Sequence, residues 1–246
     1  MKYVAQGVKE AFERKHMIFH LEFTEICNQN CSYCMEGNAI EEKPKPEPSK
    51  KEDMVGTIEK IFAAYDESYD LYFALIGGES ILQPSFMDVV NKIRSRKNTY
   101  MMLTTNFCES VEFYRELDIP LTTSLHFDHH EPEPWLEKTL QLQDLIGITR
   151  IMAHPDKLDK VKEAYDLFKE ASKNNQVTCN VGELLTIDVD VNGYQVKYDP
   201  KYTDEQREFI RSMKPIICEY SESLRKKLGL FAGAFLREEY FYRDNN

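Results

Sequence analysis

Three cysteines close together near the start of the chain are the residues whose types and spacing point most directly to chemistry. Cys27, Cys31 and Cys34 form a C-x3-C-x2-C pattern directly after a segment predicted to be a β-strand. Three thiolates on one tight loop can bind three irons of a cubane [4Fe–4S] cluster, whereas ordinary electron-transfer clusters use four cysteines. Because no fourth cysteine stands nearby, the fourth iron would be open to another ligand, which favours catalysis over electron storage.

The alternative interpretation of this loop is a zinc site. Structural zinc takes four nitrogen or sulfur ligands in tetrahedral geometry, so a distant histidine would have to complete it. The remaining cysteines, Cys108, Cys179 and Cys218, are scattered along the chain, which favours buried structural thiols over a second cluster. Among these three, Cys218 is also a candidate hydrogen-atom donor or additional ligand.

A second motif, Gly77-Gly78-Glu79, ends the second predicted strand. Glycines let the backbone approach a ligand closely, and a carboxylate can pair with an ammonium group, although a tight turn would also need glycine. Together with the cysteine loop and with Tyr33 before its last cysteine, this motif resembles the radical S-adenosylmethionine (SAM) superfamily. The resemblance implies that the open iron chelates SAM and that Glu79 contacts the amino group of its methionine. Ser80 stands where the family often has proline.

The resemblance also implies SAM contacts at the carboxyl ends of further strands. The predicted SAM-binding residues are Tyr33, Gly77, Gly78, Glu79, Thr105, Asn106, Ser124 and Asn180. Thr105 and Asn106 are equally consistent with helix capping, since both residue types are good N-caps. His126 has the same strand parity as Ser124 and is a candidate catalytic residue on the substrate side, although a single histidine more often belongs to a core.

Strand-like apolar segments alternate with amphipathic helical segments from residue 16 to residue 185. Six such β–α repeats predict a parallel sheet with helices outside it, wound by right-handed crossovers. Periodicity does not distinguish a partial barrel from an open doubly wound sheet, but the resemblance implies the α/β fold of a partial (β/α)6 barrel. In both arrangements the carboxyl ends of the strands form the functional rim, where all these motifs fall.

The pattern changes after residue 185, so the predicted domains are the barrel at 1–185 and a C-terminal extension at 186–246. Segments 186–191 and 194–198 flank Asn192-Gly193, which is a strong hairpin signal. Thr203 and Gln206 predict a capping box at the start of a helix. We expect this extension of hairpin and helices to cover the barrel mouth on the substrate side.

Composition limits the class of partner and the compartment. The 246 residues carry a net charge of −11, which repels phosphate backbones and disfavours nucleic acid as the main substrate. No apolar run is long enough to span a bilayer, and residues 1–15 do not resemble a secretory signal, so no membrane partner is expected. Six cysteines, half of them in one loop, favour a reduced cytoplasmic location over disulfides.

The predicted function is that of a radical SAM enzyme. The resemblance implies that an electron donor such as a flavodoxin or ferredoxin reduces the [4Fe–4S] cluster. SAM is then cleaved to methionine and a 5′-deoxyadenosyl radical, which removes hydrogen from a substrate. A small molecule of sugar or nucleotide type and a peptide both stay open as substrates. The alternatives are a zinc or iron–sulfur protein that binds a partner, and a degenerate member that binds SAM without catalysis.

Overall fold

A computed structural model describes residues 15–22, 24–191, 193–229 and 231. Six parallel strands form one sheet, and each strand pairs with the next one along the chain. They are β1 Lys15–Glu22, β2 Tyr69–Ile76, β3 Thr99–Thr105, β4 Leu121–Leu125, β5 Ile146–Ala153 and β6 Cys179–Glu183. A doubly wound sheet reverses its strand order at a switch point, and this sheet has no reversal. The predicted partial barrel is therefore confirmed as a half-barrel of six strands.

Five helices connect successive strands. They are α1 Lys51–Ala64, α2 Phe86–Arg94, α3 Val111–Leu117, α4 Pro132–Gln141 and α5 Leu158–Ala171. In α5, Val161, Ala164, Tyr165 and Phe168 recur at three- and four-residue spacing and are all buried, so this helix presents one apolar stripe to the sheet. Within the described ranges, no helix is long and apolar enough to cross a bilayer.

The strands separate two apolar clusters, because successive side chains point to opposite faces of a sheet. On β2, Leu71, Phe73 and Leu75 belong to the large outer cluster that includes residues from all five crossover helices. Tyr72 and Ala74 belong to a smaller cluster on the inner face. Burying one large apolar side chain contributes about 1.5–3 kcal/mol, so the outer cluster stabilises the scaffold that positions the strand ends.

The first part of the C-terminal extension is a hairpin followed by a helix. β7 Ile187–Val191 and β8 Tyr194–Tyr198 pair antiparallel in a sheet of their own, and Asn192 of the predicted turn lies outside the described residues. The predicted capping box is confirmed, because Thr203 and Gln206 bond each other at the start of α6 Asp204–Ser212. The hairpin therefore follows the carboxyl end of β6 directly.

The tail of the extension packs inside the barrel. In α7, which spans Glu222–Leu228, Leu224 and Leu228 are fully buried. They belong to the inner cluster with Tyr72 and Met102, which lie before the carboxyl ends of their strands. This differs from the expected position over the mouth, because the apolar side chains of the tail fill the inner face that an incomplete barrel leaves open. The rest of the predicted tail lies outside the described residues.

Candidate functional site

A cavity of about 680 Å³ lies at the carboxyl ends of the strands, and its size is typical of small-molecule sites. The predicted site residues that line it are Cys27, Cys31, Tyr33, Cys34, Gly77, Gly78, Thr105, Asn106, Ser124, His126 and Asn180. Glu79 and Cys218 are not among the lining residues. The structure thus brings the cysteine loop and the ends of β2 to β6 to one shared volume.

The thiols of the cysteine loop are partly buried. Cys31 is 7% exposed, and burial raises the pKa of its thiol to about 12, with the neighbouring Cys34 adding to the effect. Burial also raises the pKa of the Cys27 thiol. These two sulfurs are therefore protonated at neutral pH in the bare loop, and a bound metal group must supply the charge that stabilises their thiolates.

Three N–H groups point at the cysteine sulfurs. The amide of Asn38 donates to Cys34 Sγ at 3.2 Å. Cys27 Sγ accepts from the backbone N–H of Gln29 at 3.4 Å, and it also accepts from Asn106 Nδ2 at 3.5 Å. Such donors stabilise thiolate ligands and tune the metal group that they hold. The donor set therefore fits an iron–sulfur cluster bound through its cysteines.

The geometry of the thiols differs from a single-ion site. In the described parts of the chain, no three His, Cys, Asp or Glu side chains converge on one ion position. A cubane cluster does not require such convergence, because each cysteine binds a different iron.

Side-chain hydrogen bonds fix the cysteine loop against β3 and α4. Asn106, directly after β3, donates through its side-chain amide to Asn28 Oδ1 at 2.7 Å. Gln29 is 7% exposed, and its amide shares a 2.6 Å hydrogen bond with His130 Nε2. The ring of His130 packs edge-on against Trp135 of α4. Gln29 and His130 were not predicted as site residues, because nothing in their local sequence links the loop to α4.

The Gly-Gly-Glu segment holds the cysteine loop directly. The N–H of Gly78 donates to Thr24 O at 2.6 Å, and the N–H of Glu79 donates to Ile26 O at 2.7 Å. A Cβ atom at Gly78 would lie 2.3 Å from that Ile26 oxygen, which no side chain tolerates. Glycine is therefore required at Gly78 by the close approach of the loop backbone, whatever ligand the cavity holds.

Glu79 lies behind the wall of the cavity. Its carboxylate is 0% exposed, and its Oε2 accepts from the backbone N–H of Asn106 at 2.6 Å. Oε1 is buried and makes no hydrogen bond of regular geometry within the described chain, although the Thr105 hydroxyl and the Ile81 N–H lie near enough to lower the pKa of the carboxyl. Burial is the main cause that raises the pKa of this carboxyl to about 7. An unpaired buried carboxylate oxygen fits a cationic partner, and the predicted contact with the SAM amino group stays a prediction.

Thr105 serves the turn that follows β3. Its hydroxyl accepts from the backbone N–H of Phe107 at 2.9 Å and shares a 3.1 Å hydrogen bond with the hydroxyl of Tyr114. Phe107 has a positive φ of 62°, so this turn needs such local support. The capping interpretation therefore accounts for the Thr105 hydroxyl, and its contact with SAM stays a prediction.

A row of polar side chains crosses the inner face at one level. Ser124 on β4 is the register partner of Arg150 on β5, and Arg150 is the partner of Asn180 on β6. In the described structure, Arg150 Nε and Asn180 Oδ1 are buried without hydrogen-bond partners. Arg150 was not among the predicted residues. The signal that could have found it is one charged residue inside the apolar segment 146–153, at the inward parity of its neighbours.

Tyr33 joins the cysteine loop to β4 and to the hairpin. Its hydroxyl shares a 2.9 Å hydrogen bond with His126 Nδ1. The ring centroid of Tyr33 is 5.7 Å from that of His126 and 5.8 Å from that of Tyr198 on β8. Burial, with help from the neighbouring imidazoles of His130 and His129, lowers the pKa of His126 to about 4. His126 is therefore neutral at pH 7, so one of its ring nitrogens donates a hydrogen bond and the other accepts one.

Cys218 lies away from the cavity. Its Sγ is 3.0 Å from the hydroxyl of Thr178, two residues before Asn180 on the inner face, and it packs against the inner cluster. The candidate role of Cys218 as a hydrogen-atom donor therefore lacks the expected placement, because the tail carries this residue below the strand ends.

The fold and the cavity together define a class of protein, and the comparison with protein families names it. The family described as the Radical SAM superfamily matches residues 21–187, which is more than half of the chain. The chain therefore belongs to the Radical SAM superfamily, whose cofactors are a [4Fe–4S] cluster and SAM. This membership favours the cluster over zinc for the cysteine loop.

Two curated relatives illustrate how far the likeness extends. Molybdenum cofactor biosynthesis protein 1 from Bos taurus is 30% identical over 98 residues, which is 39% of this chain and 15% of that protein. The GTP 3',8-cyclase of Vibrio atlanticus is 26% identical over 102 residues, which is 42% of this chain and 30% of that protein. The matching segment thus spans less than a third of either relative.

Solved structures share the fold at low sequence identity. The structure of native anSMEcpe with bound AdoMet has a TM-score of 0.54 at 15% identity and covers 76% of this chain and 57% of its own. Native anSMEcpe with bound AdoMet and the Kp18Cys peptide has a TM-score of 0.51 at 16% identity. That match covers 76% of this chain and 56% of the other chain. At this identity the likeness supports the partial barrel alone.

Proposed function

We propose that this chain is a radical SAM enzyme in which Cys27, Cys31 and Cys34 each bind one iron of a [4Fe–4S] cluster. The observation that carries the proposal is one cavity shared by three thiols and by buried polar atoms without partners in the described chain. Those atoms are Asn106 Oδ1, Arg150 Nε and Asn180 Oδ1. Each unpaired buried atom costs about 1–3 kcal/mol, and a polar ligand in the cavity would remove that cost.

When bound, the cluster and SAM supply the reductive cleavage of SAM to methionine and a 5′-deoxyadenosyl radical, which removes hydrogen from the substrate. The residues of the chain bind and orient the reactants. We assign Arg150 and Ser124 to the SAM carboxylate, because a guanidinium group pairs strongly with a carboxylate. Glu79 is assigned to the SAM amino group, and this contact requires its carboxylate to turn into the cavity when SAM binds, because the side chain lies behind the wall.

The remaining predicted residues keep supporting roles in this proposal. Gly77 and Asn106 line the cavity beside the cysteine loop, where backbone and amide groups can bond to SAM. Asn180 and the ring of Tyr33 are assigned to the adenosine part, since an aromatic face suits a flat base. His126 stays the candidate on the substrate side, because its neutral ring can hold or pass one proton.

For the substrate we propose a small molecule or a peptide that carries no polyphosphate. Met35 and Leu185 line the cavity and are 56% and 57% exposed, so its mouth is apolar. Arg150 is the one lysine or arginine among the described lining residues, and the SAM carboxylate would occupy it. A nucleoside triphosphate, such as the one in the name of the GTP 3',8-cyclase relatives, would meet two glutamates in the lining, Glu36 and Glu183, and the arginine nearest to Glu183 is already paired with it.

The partners and the location follow from the same chemistry. The cluster needs a one-electron donor, for which we propose a flavodoxin or a ferredoxin. All six cysteines are free thiols, which is consistent with the reducing cytoplasm.

We propose residues 1–185 as the barrel and 186–246 as the extension. The hairpin is the part of the extension on the substrate side, because Ile187 lines the cavity and Tyr198 contacts Tyr33.

Metal analysis and spectroscopy test this proposal. After anaerobic reconstitution, we expect about four iron and four sulfide per chain and a reduced-cluster EPR signal that changes when SAM is added. The C31S variant should lose iron, whereas C108S should keep it, because Cys108 lies outside the cysteine loop. Zinc uptake without sulfide, or equal iron in both variants, would contradict the proposal.

A further inference from the structure

Asn38 makes the shortest of the hydrogen bonds from a nitrogen to a cysteine sulfur in the described loop. Its side-chain Nδ2 donates to Cys34 Sγ at 3.2 Å, four residues after that cysteine. The other two such bonds, both to Cys27 Sγ, are 3.4 Å and 3.5 Å long. Neither the family motif nor the proposed SAM contacts use Asn38, although it lines the cavity.

Two consecutive turns and the hairpin place Asn38 beside the sulfur. The N–H of Gly37 donates to Cys34 O, and the N–H of Ile40 donates to Gly37 O, both at 3.0 Å. Gly37 has a positive φ of 66°, and a Cβ atom there would lie 2.9 Å from Cγ2 of Val196 on β8. The hairpin is thus in close contact with the turn that carries Asn38, and the position of the amide depends on that contact.

We propose that Asn38 is a positioning residue that raises the reduction potential of the cluster through its N–H···S bond to Cys34. This inference depends on the proposed function, because it requires that Cys34 binds iron. A hydrogen bond withdraws electron density from a thiolate and favours the reduced, more negative cluster. The electron that the external one-electron donor delivers would then be accepted at a higher potential.

Two substitutions at this position separate the hydrogen bond from packing. N38L keeps the number and branching of the side-chain heavy atoms and removes the donor, whereas N38D keeps the shape and replaces the donor with a negative acceptor. We expect the potential to fall in the order wild type, N38L, N38D in an anaerobic redox titration followed by EPR. N91L changes the same residue type at an exposed position of α2 and should keep the wild-type potential.

The redox titration can overturn the inference in two ways. Potentials of N38L and N38D equal to wild type, at full iron content, overturn the inference, and so does an N38D potential no lower than that of N38L. If both variants fail to load iron, V196A is measured instead. It removes the contact between β8 and the turn at Gly37 and leaves the sequence of the cysteine loop unchanged. A lower potential in V196A supports the inference, and an unchanged one overturns it. A wild-type protein without any cluster would instead refute the proposed function.

Discussion

Arg150 is the one lysine or arginine among the described residues that line the cavity. It stands on an otherwise apolar strand and faces the cavity between Ser124 and Asn180. A charged group with a buried, unpaired Nε in the described chain is costly without a ligand. The cost is offset if an anionic group of the cofactor completes the bonds, as the proposed contact with the SAM carboxylate would do.

We therefore predict that R150M weakens SAM binding by about ten- to a hundred-fold. Charge-assisted hydrogen bonds contribute about 1.5–3 kcal/mol each, and about 1.4 kcal/mol corresponds to a factor of ten. The measurement is an anaerobic SAM titration of the reconstituted protein. R115M is the control, because Arg115 pairs with Asp144 on the surface. If R150M binds SAM with wild-type affinity, Arg150 does not contact SAM.

Glu79 predicts a pH dependence of stability in the metal-free protein. Its carboxyl has a pKa of about 7 in the fold against 4.5 as the ordinary value, mainly because it is buried. Between these pH values only the unfolded chain releases the proton, so the free energy of unfolding falls as the pH rises from 4.5 to 7. The shift corresponds to about 3 kcal/mol.

In E79Q this fall should be smaller, and urea unfolding at pH 5 and pH 7.5 measures it. Glu36 contributes a fall in the same direction, because burial raises its pKa to about 7 as well, so part of the dependence should persist. E163Q, on the exposed side of α5, is the control. If E79Q keeps the full pH dependence, Glu79 does not cause it, and its pKa in the folded protein is close to the ordinary value.

At the scale of elements, the Gly77-Gly78-Glu79 segment after β2 contacts the cysteine loop, and this contact predicts that position 78 must be glycine. In G78A the new Cβ would lie 2.3 Å from Ile26 O, and overpacking of this kind costs about 1–3 kcal/mol or more. We expect lower stability in urea and reduced iron content after reconstitution. G56A is the matched control, because nothing lies within 4 Å of a Cβ at Gly56 in α1, and alanine there should stabilise by about 0.5–1 kcal/mol. Equal stability of both variants would contradict the contact.

The position of the tail inside the barrel predicts a large effect at Leu224. Its side chain is 0% exposed in the inner cluster, and truncating such a leucine costs about 2–5 kcal/mol. L224A should therefore lower the free energy of unfolding by that amount in chemical denaturation. L185A, at a side chain that is 57% exposed, should change stability by less than about 0.5 kcal/mol. A small effect in L224A would place the tail elsewhere.

For the whole molecule, the features that depend on nearby residues were predictable. The β–α alternation follows from local periodicity, and it predicted six parallel strands, whereas the family resemblance implied their order in a partial barrel. The capping box of Thr203 and Gln206 needed only a spacing of three residues. The cysteine spacing and the Gly-Gly-Glu motif likewise led to the family that matches residues 21–187.

Features that depend on contacts across the fold were not predictable in the same way. Gln29 meets His130 across about a hundred residues of chain, and no local pattern links the two. The apolar positions in the tail, 220–246, predicted a partly helical segment but not the surface that would cover it, so the position of its described part inside the barrel was not predicted. The contact that requires glycine at position 78 was not predictable either, because only the folded chain brings the Ile26 carbonyl beside it.

The measurement that tests the central claim most directly is 5′-deoxyadenosine formation under anaerobic conditions. The reconstituted protein is reduced, SAM is added, and the product is quantified beside the triple variant C27A/C31A/C34A. We predict 5′-deoxyadenosine from the wild type and none from the variant. A wild-type protein that holds its cluster and binds SAM but never cleaves it with any reductant would contradict the account and indicate a member without catalysis.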